Sequence, residues 1–338
     1  MNHSSNVSLK YHHHVIVLLE KLLPSTPLFN LPSPHTYELR QYDRTHPNEL
    51  ADRVRGADII IRTVVPMTAD LVTNSAAATL KMIAVVGSGT DTIDLEACRA
   101  RGILVANTPH CNTSAVAEHA IGMYFALRRQ YLHTHRLVQT GEWAKRGMLA
   151  HELYGPDRKA PQTCRDEIVG ILGYGGVGQK VATMAKALGM KVLLSGRKGS
   201  SESPDRTPFE VVIRTASVLI LCLPRSQDTV GYISSPEFQA MQRHSVLINV
   251  SRGGIVDEEA LVAALEDGRI AGAATDVFAK EPASEESSPL LGARVENLNL
   301  ITTPHTAWVA EETNKNYLET LQRNIEAFVC GSPINCVV

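Results

Sequence analysis

From Val15 to the C-terminus, short runs of β-branched and other apolar residues alternate with longer stretches whose apolar positions recur every three or four residues. That rhythm is the mark of βαβ units built around a parallel sheet. In the second half of the chain it predicts strands at 168–172, 191–195, 217–223, 245–250, 271–275 and 298–302. Helices are predicted between them at 177–188, 209–216, 236–241 and 258–267. The first half repeats the rhythm on a smaller scale, with a strand at 81–86, the tight loop Gly87-Ser88-Gly89, a helix at 95–101 and a strand at 103–106. A long helix is expected over 115–129, where Ala117, Ala120, Ile121, Tyr124 and Phe125 recur at helical spacing, and another over 310–330. Residues 140–166 carry Gly, Pro and charge without periodicity and read as loop. The fold class is therefore α/β, with two domains of doubly wound parallel sheet.

Length and composition agree: 338 residues with 44% hydrophobic content are enough for two cores. A net charge of -2 argues against a nucleic-acid or membrane-surface partner. The longest early apolar run, Val15 to Leu19, is far too short for a membrane span or a signal peptide. It follows directly on His12, His13 and His14, which read as part of the natural chain. Six scattered cysteines form no C-x-x-C pair, so neither a disulfide framework nor a metal site is expected, and a reducing, cytoplasmic location is.

The predicted strand at 168–172 runs into Gly173-Tyr174-Gly175-Gly176-Val177-Gly178 and then into a helix, which gives G-x-G-x-x-G in the order that a dinucleotide requires. Gly173 permits the tight turn, Gly175 lets the backbone approach a pyrophosphate, and Gly178 allows close packing of helix on sheet. Gly176 and Val177 open the helix, whose unpaired N–H groups face the anion. About 20 residues on, an acidic residue at the end of the second strand would bind the ribose 2′-hydroxyl of NAD. Here that strand ends in Ser195-Gly196-Arg197-Lys198. Without the carboxylate nothing repels a 2′-phosphate, and Arg197 and Lys198 can attract one. NADP is thus the expected cofactor, with NAD second.

Three further stretches carry a resemblance. They are Asn249-Val250-Ser251-Arg252-Gly253-Gly254-Ile255-Val256-Asp257-Glu258, Asp276-Val277-Phe278-Ala279-Lys280-Glu281-Pro282 and Thr303-Pro304-His305-Thr306-Ala307-Trp308. With the glycine loop, and from about Lys81 onward, they resemble the D-isomer-specific 2-hydroxyacid dehydrogenases, particularly glyoxylate/hydroxypyruvate reductases. Reducing a 2-keto acid needs a cation for the carboxylate, a proton donor at the carbonyl oxygen and a hydride source. The resemblance assigns these roles to Arg252 as carboxylate binder, His305 as acid–base catalyst and Glu281 as the group orienting the imidazole. A guanidinium binds carboxylate bidentately and stays charged; an imidazole exchanges protons near neutrality.

The resemblance also implies cofactor contacts at Leu223, Pro224, Val250, Ser251, Asp276 and Thr113. It implies substrate contacts from the amides of Ser88 and Gly89 as well as from Arg252 and His305. It implies two Rossmann-like domains, a flavodoxin-like substrate domain of residues 1–117 and 306–338 and a dinucleotide domain of 118–305, with the cofactor in the cleft between them. The expected activity is hydride transfer between NADP(H) and a small 2-keto or 2-hydroxy acid, and the expected assembly is a homodimer. Two alternatives stay open: a dinucleotide-sensing scaffold like the C-terminal-binding-protein corepressors, and a phosphoglycerate-type dehydrogenase. His110, His119 and His133 read as ordinary core or surface histidines, Trp308 as packing or pocket wall, and Trp143 as a loop residue.

Overall fold

A computed structural model describes residues 12–199 and 205–338. The chain forms two compact units, one of Met1–Asn112 with Ala310–Val338 and one of Thr113–Val309. Thr113 to Ala117 and Thr306 to Val309, read from the sequence as part of the first domain, thus go with the second unit. Among the described residues no helix is long and apolar enough to cross a membrane.

The first unit holds a five-stranded parallel sheet of β1 (His13–Leu18), β2 (Thr36–Gln41), β3 (Ile59–Arg62), β4 (Met82–Val85) and β5 (Leu104–Ala106). The spatial order is β2-β1-β3-β4-β5, the order of flavodoxin-like sheets. β3 and β4 are buried at every position, as strands covered on both faces must be, and so read as unbroken apolar runs. Helices α1 (Leu50–Val54), α2 (Ala69–Thr73), α3 (Leu95–Ala100) and a C-terminal helix, Glu311–Val329, complete the unit. The histidine tract enters β1: His14 is buried, with its Nε2 3.0 Å from Nδ1 of His35. The strands β2 and β3 are not among the sequence expectations. β2 lies at the sheet edge and reads Thr-Tyr-Glu-Leu-Arg-Gln, with no apolar run to announce it. β3, Ile-Ile-Ile-Arg, had such a run, but only three residues long.

In the second unit the parallel sheet contains β6 (Ile168–Leu172), β7 (Lys191–Leu194), β8 (Val218–Leu221), β9 (Val246–Asn249), β10 (Gly272–Thr275) and β11 (Leu300–Thr302). Their order is β11-β10-β9-β8-β6-β7. A single parallel bridge from Ser195 to Thr207 extends the sheet beyond β7. The order reverses between β6 and β8, so the loops after those two strands diverge and open the crevice in which doubly wound sheets bind ligands.

Helix α4 (Thr113–Arg128) packs on one face of the sheet with α7 (Gly176–Ala187), burying Val116, Ala117, Ala120, Met123 and Tyr124 against Val169, Val181 and Ile248. On the other face α8 (Phe209–Thr215), α9 (Ser235–Ala240) and α10 (Glu258–Glu266) cover Leu219, Leu221 and Leu247. The stretch 140–166, expected as loop, is partly helical. After α5 (Tyr131–Gln139) comes α6 (Glu142–Arg146), with 3₁₀ turns at Ala150–Leu153 and Cys164–Asp166. The five residues of α6 bury none of their side chains, so no apolar period marked them in the sequence.

Candidate active site

The glycine loop turns directly off β6. Gly173 has φ +93°, and a Cβ there would lie 2.4 Å from the carbonyl oxygen of Cys222, in the loop after β8. A Cβ on Gly178 would lie 2.1 Å from the carbonyl oxygen of Gly173. Both positions must therefore be glycine for the β6 turn, the β8 loop and the first turn of α7 to pack together. Gly175 differs: a Cβ there would meet nothing within 4 Å. It caps the twelve-residue helix α7, leaving open space at the positive end of the helix dipole. Gly176 and Val177 form the first turn, and Leu223 lies beside Gly173. Pro224 is held through its carbonyl, which accepts from Thr229 Oγ1 at 2.8 Å. These residues form a cradle that fits a dinucleotide pyrophosphate.

Gly196 pairs with the backbone of Thr207, its amide donating to Thr207 O at 2.8 Å. A Cβ on Gly196 would make only ordinary contacts, the nearest at 3.5 Å. Space thus permits a carboxylate residue at this position. Arg197 is exposed. Lys198, expected beside a phosphate, is engaged by the protein in this structure. Its ammonium lies 2.8 Å from the buried Glu237 carboxylate, donates to Tyr232 O at 3.1 Å, and sits 5.5 Å from the centre of the Tyr232 ring. Its backbone amide donates to the Tyr232 hydroxyl at 2.6 Å. A cation paired to a buried carboxylate has little charge left to offer a ligand.

The residues with acid–base chemistry gather at the ends of β9, β10 and β11. Asn249, the last residue of β9, shapes the turn that follows: Oδ1 accepts from the amide and hydroxyl of Ser251, and Nδ2 donates to Arg252 O at 3.0 Å. Val250 and Ser251 are buried, so they can present backbone rather than side chains to a ligand. Arg252 Nη1 donates to Ser251 O at 2.7 Å. A Cβ on Gly253 would sit 1.7 Å from the carbonyl oxygen of Phe278. Only glycine lets the Arg252 turn press against the loop that carries Glu281.

That loop and the His305 loop are joined by Asp276, which is 1% exposed. Its carboxylate accepts from Thr303 Oγ1 at 2.5 Å and from the amides of Thr306 and Ala307 at 2.9 Å each. Three of its roughly four acceptor positions are used, so it anchors the His305 loop and keeps one for a ligand. His305 has φ +55°, rare for a residue with a side chain. Its amide donates to Asp276 O at 2.7 Å, and its carbonyl accepts from the Trp308 indole at 2.9 Å. Those bonds hold a conformation that costs about 1–3 kcal/mol on its own, as occurs where function fixes a side chain.

His305 Nδ1 lies 2.7 Å from Glu281 Oε2, and Glu281 Oε1 accepts from the Phe278 amide at 2.9 Å. Burial raises the Glu281 carboxyl, but the bonds from His305 and Phe278 and the charge of Arg252 outweigh it and hold the group below its ordinary value. A carboxylate on Nδ1 fixes the tautomer and leaves Nε2 for a ligand. Thr113 opens α4. Later in that helix His119, read from the sequence as ordinary, stands with Nε2 3.2 Å from Thr303 Oγ1 and 3.8 Å from Asp276 Oδ1. Nothing local in the sequence pointed to it, because the contact spans 184 residues.

In the first unit, Ser88 and Gly89 follow β4. Asn107 Nδ2 donates to Ser88 O at 2.8 Å, and the Gly87 amide to Thr108 Oγ1 at 2.7 Å. Among the described residues the Ser88 and Gly89 amides donate to no protein acceptor.

A glycine cradle at the switch point of a doubly wound sheet, with a carboxylate–imidazole pair and an arginine at neighbouring strand ends, defines a dinucleotide-dependent oxidoreductase. The comparisons specify which kind. Residues 121–307 match the model of the D-isomer specific 2-hydroxyacid dehydrogenase, NAD binding domain. The chain is 38% identical over 310 residues to a glycerate dehydrogenase of Methylorubrum extorquens, covering 91% of this chain and 93% of that one. It is 30% identical over 328 residues to a glyoxylate reductase of Pyrococcus furiosus, covering 93% and 92%. It also superposes with a TM-score of 0.74 and 26% identity on the NADPH-dependent glyoxylate/hydroxypyruvate reductase of Sinorhizobium meliloti, solved with NADP and malonate, covering 96% and 97%. The chain belongs to the D-isomer-specific 2-hydroxyacid dehydrogenases, NAD(P)-dependent oxidoreductases.

Proposed function

We propose that this dehydrogenase reduces glyoxylate or hydroxypyruvate with NADPH, giving the corresponding 2-hydroxy acid of the D series where a stereocentre forms. The observation that carries the reading is the 2.7 Å contact of His305 Nδ1 with Glu281, with the Arg252 charge acting on the same carboxylate. When bound, the nicotinamide supplies the hydride to the keto carbon. Arg252 holds the substrate carboxylate by charge-assisted hydrogen bonds. The Ser88 and Gly89 amides, which have no protein acceptor among the described residues, are the donors this reading assigns to that carboxylate. Protonated His305 gives its Nε2 proton to the carbonyl oxygen as negative charge grows there, and Glu281 stabilises the imidazolium until it does. In the oxidising direction neutral His305 takes the proton back. Asp276 holds the His305 loop and is assigned the nicotinamide carboxamide with its remaining lone pair.

The similarity to a glycerate dehydrogenase favours the hydroxypyruvate–glycerate pair, since glycerate is hydroxypyruvate reduced at C2. Gly196 supports NADP(H) over NAD(H): an acidic side chain would fit, and none is present. Exposed Tyr131, Leu132, Val138, Trp143, Met148 and Tyr154 lie within one stretch of 24 residues and support a homodimer formed through the second unit. All six cysteines are unpaired, which accords with a cytoplasmic protein.

The test is loss of absorbance at 340 nm with NADPH and NADH separately, against glyoxylate, hydroxypyruvate and a branched 2-keto acid. Turnover is expected with NADPH and the two small acids. A preference for the branched acid would overturn the substrate assignment, and a tenfold preference for NADH the cofactor assignment.

A further inference from the structure

We propose that Arg206 is the second cation of the cofactor's adenosine 2′-phosphate subsite, acting with Arg197 in the place the sequence had offered to Lys198. The proposal rests on the NADP(H) reading above and names the residue that enforces it. Nine positions separate Arg206 from Arg197, yet the fold brings its backbone beside Gly196. Thr207 bridges to Ser195, its amide donates to Leu194 O at 2.8 Å, and a Cβ built on Gly196 would lie 3.8 Å from Arg206 Cβ. Arg206 thus borders the position where an NAD-type acid would stand. Its guanidinium reaches from there to the glycine loop, where Cζ lies 4.6 Å from the ring centre of Tyr174, between Gly173 and Gly175.

Among the described residues, Arg206 Nη1 is buried and has no hydrogen-bond partner, and the side chain forms no ion pair. A buried charged donor without an acceptor is destabilising, and a ligand oxygen relieves that. A guanidinium held over an aromatic ring loses little further freedom on binding, and its fork matches phosphate oxygens. The unphosphorylated ribose of NAD brings only a hydroxyl to this corner, which leaves the buried donor poorly satisfied. Discrimination built on an unsatisfied buried group is stronger than discrimination built on added apolar contact.

The proposal is tested by calorimetric titration with adenosine 2′,5′-bisphosphate and 5′-AMP, which differ only in the 2′-phosphate and need no turnover. Wild-type protein should favour the bisphosphate by about a hundredfold. R206M should lose about tenfold or more of that preference while 5′-AMP affinity stays within about twofold, and R206K should recover part of it. In ³¹P spectra of the bound bisphosphate, the 2′-phosphate should titrate at higher pH in R206M than in wild type, because one stabilising cation is gone. Packing on Tyr174 alone would not move that resonance. A full preference retained in R206M while R197M abolishes it would overturn the role of Arg206 and leave the NADP(H) reading intact. Equal binding of both nucleotides by wild-type protein would overturn the two together. Should R206M fail to fold, R206Q, with a shorter stem and a planar uncharged amide, carries the same comparison.

Discussion

Glu281 and the Nδ1 of His305 find their hydrogen-bond partners within the protein, whereas at the corner of Ser195–Lys198 and Arg206 a buried guanidinium nitrogen is unpaired among the described residues. Both oxygens of Glu281 and the Nδ1, amide and carbonyl of His305 are hydrogen-bonded within the protein. Across the corner, Lys198 is neutralised by Glu237 and Arg206 Nη1 has no partner among the described residues. The contrast follows from what each end must do. A group that moves a proton has to be in place before the substrate arrives, so its orienting bonds are already closed within the protein. A group that selects a ligand by its charge gains when its hydrogen bonds are completed only by that ligand.

The largest expected effect comes at the closed end. H305A removes the proton donor and should lower kcat by about a thousandfold, with NADPH affinity by fluorescence titration within about twofold. Near-normal turnover would remove His305 from the chemistry. E281Q keeps the shape of the pair but not its charge, and kcat should fall by roughly thirtyfold. A kcat within about twofold of wild type would mean that the charge of Glu281 plays no part in the chemistry. Stability gives an independent reading. The Glu281 carboxyl is depressed in the folded state from its ordinary 4.5. Its contribution is therefore complete above that value and is lost as pH falls through the depressed one. Between about pH 5 and pH 3, E281Q should lose less of its Tm than wild type.

The closed end was legible in the sequence because its parts are local. Asn249 to Gly253, Asp276 to Glu281 and Thr303 to Trp308 are each short segments at a strand end, and the strands before the first two are buried at every position. The steric reason for Gly253 was not legible, since it depends on the carbonyl of Phe278, 25 positions away. His119 was hidden for the same reason. At the open end, adjacency in sequence does not give the partners of the side chains. Gly196, Arg197 and Lys198 are consecutive, but Tyr232 and Glu237 draw Lys198 into the protein, and the bridge at Thr207 brings in Arg206 from beyond 200–204. In the first unit the edge strand β2 was missed because a strand without a buried face has no run to show.

A smaller effect is expected from restoring what the open end lacks. The space at Gly196 admits a side chain, so G196D should fold and set a carboxylate against the 2′-phosphate. NADPH affinity should fall about tenfold to thirtyfold, with NADH affinity unchanged or improved. Equal loss for both cofactors would mean that the substitution had disturbed the Thr207 pairing rather than the charge.

The smallest expected effect separates Lys198 from the cations around it. In K198M the Glu237 carboxylate, with side-chain exposure of 8%, loses its ion pair, while the corner keeps Arg197 and Arg206. Glu237 still accepts from the Ser234 amide at 3.0 Å in the capping box of α9, and Lys198 is itself 39% exposed. The loss should therefore be modest, about 1 kcal/mol, which for a domain of this size lowers Tm by roughly 2–4 °C. The ratio of NADPH to NADH affinity should stay within about twofold of wild type, because a lysine already paired to a carboxylate adds little to the field at the ribose. Selectivity lost without loss of Tm would reverse the assignment: Lys198 would leave Glu237 when the phosphate arrives, and the open end would hold one more cation than the chain shows on its own.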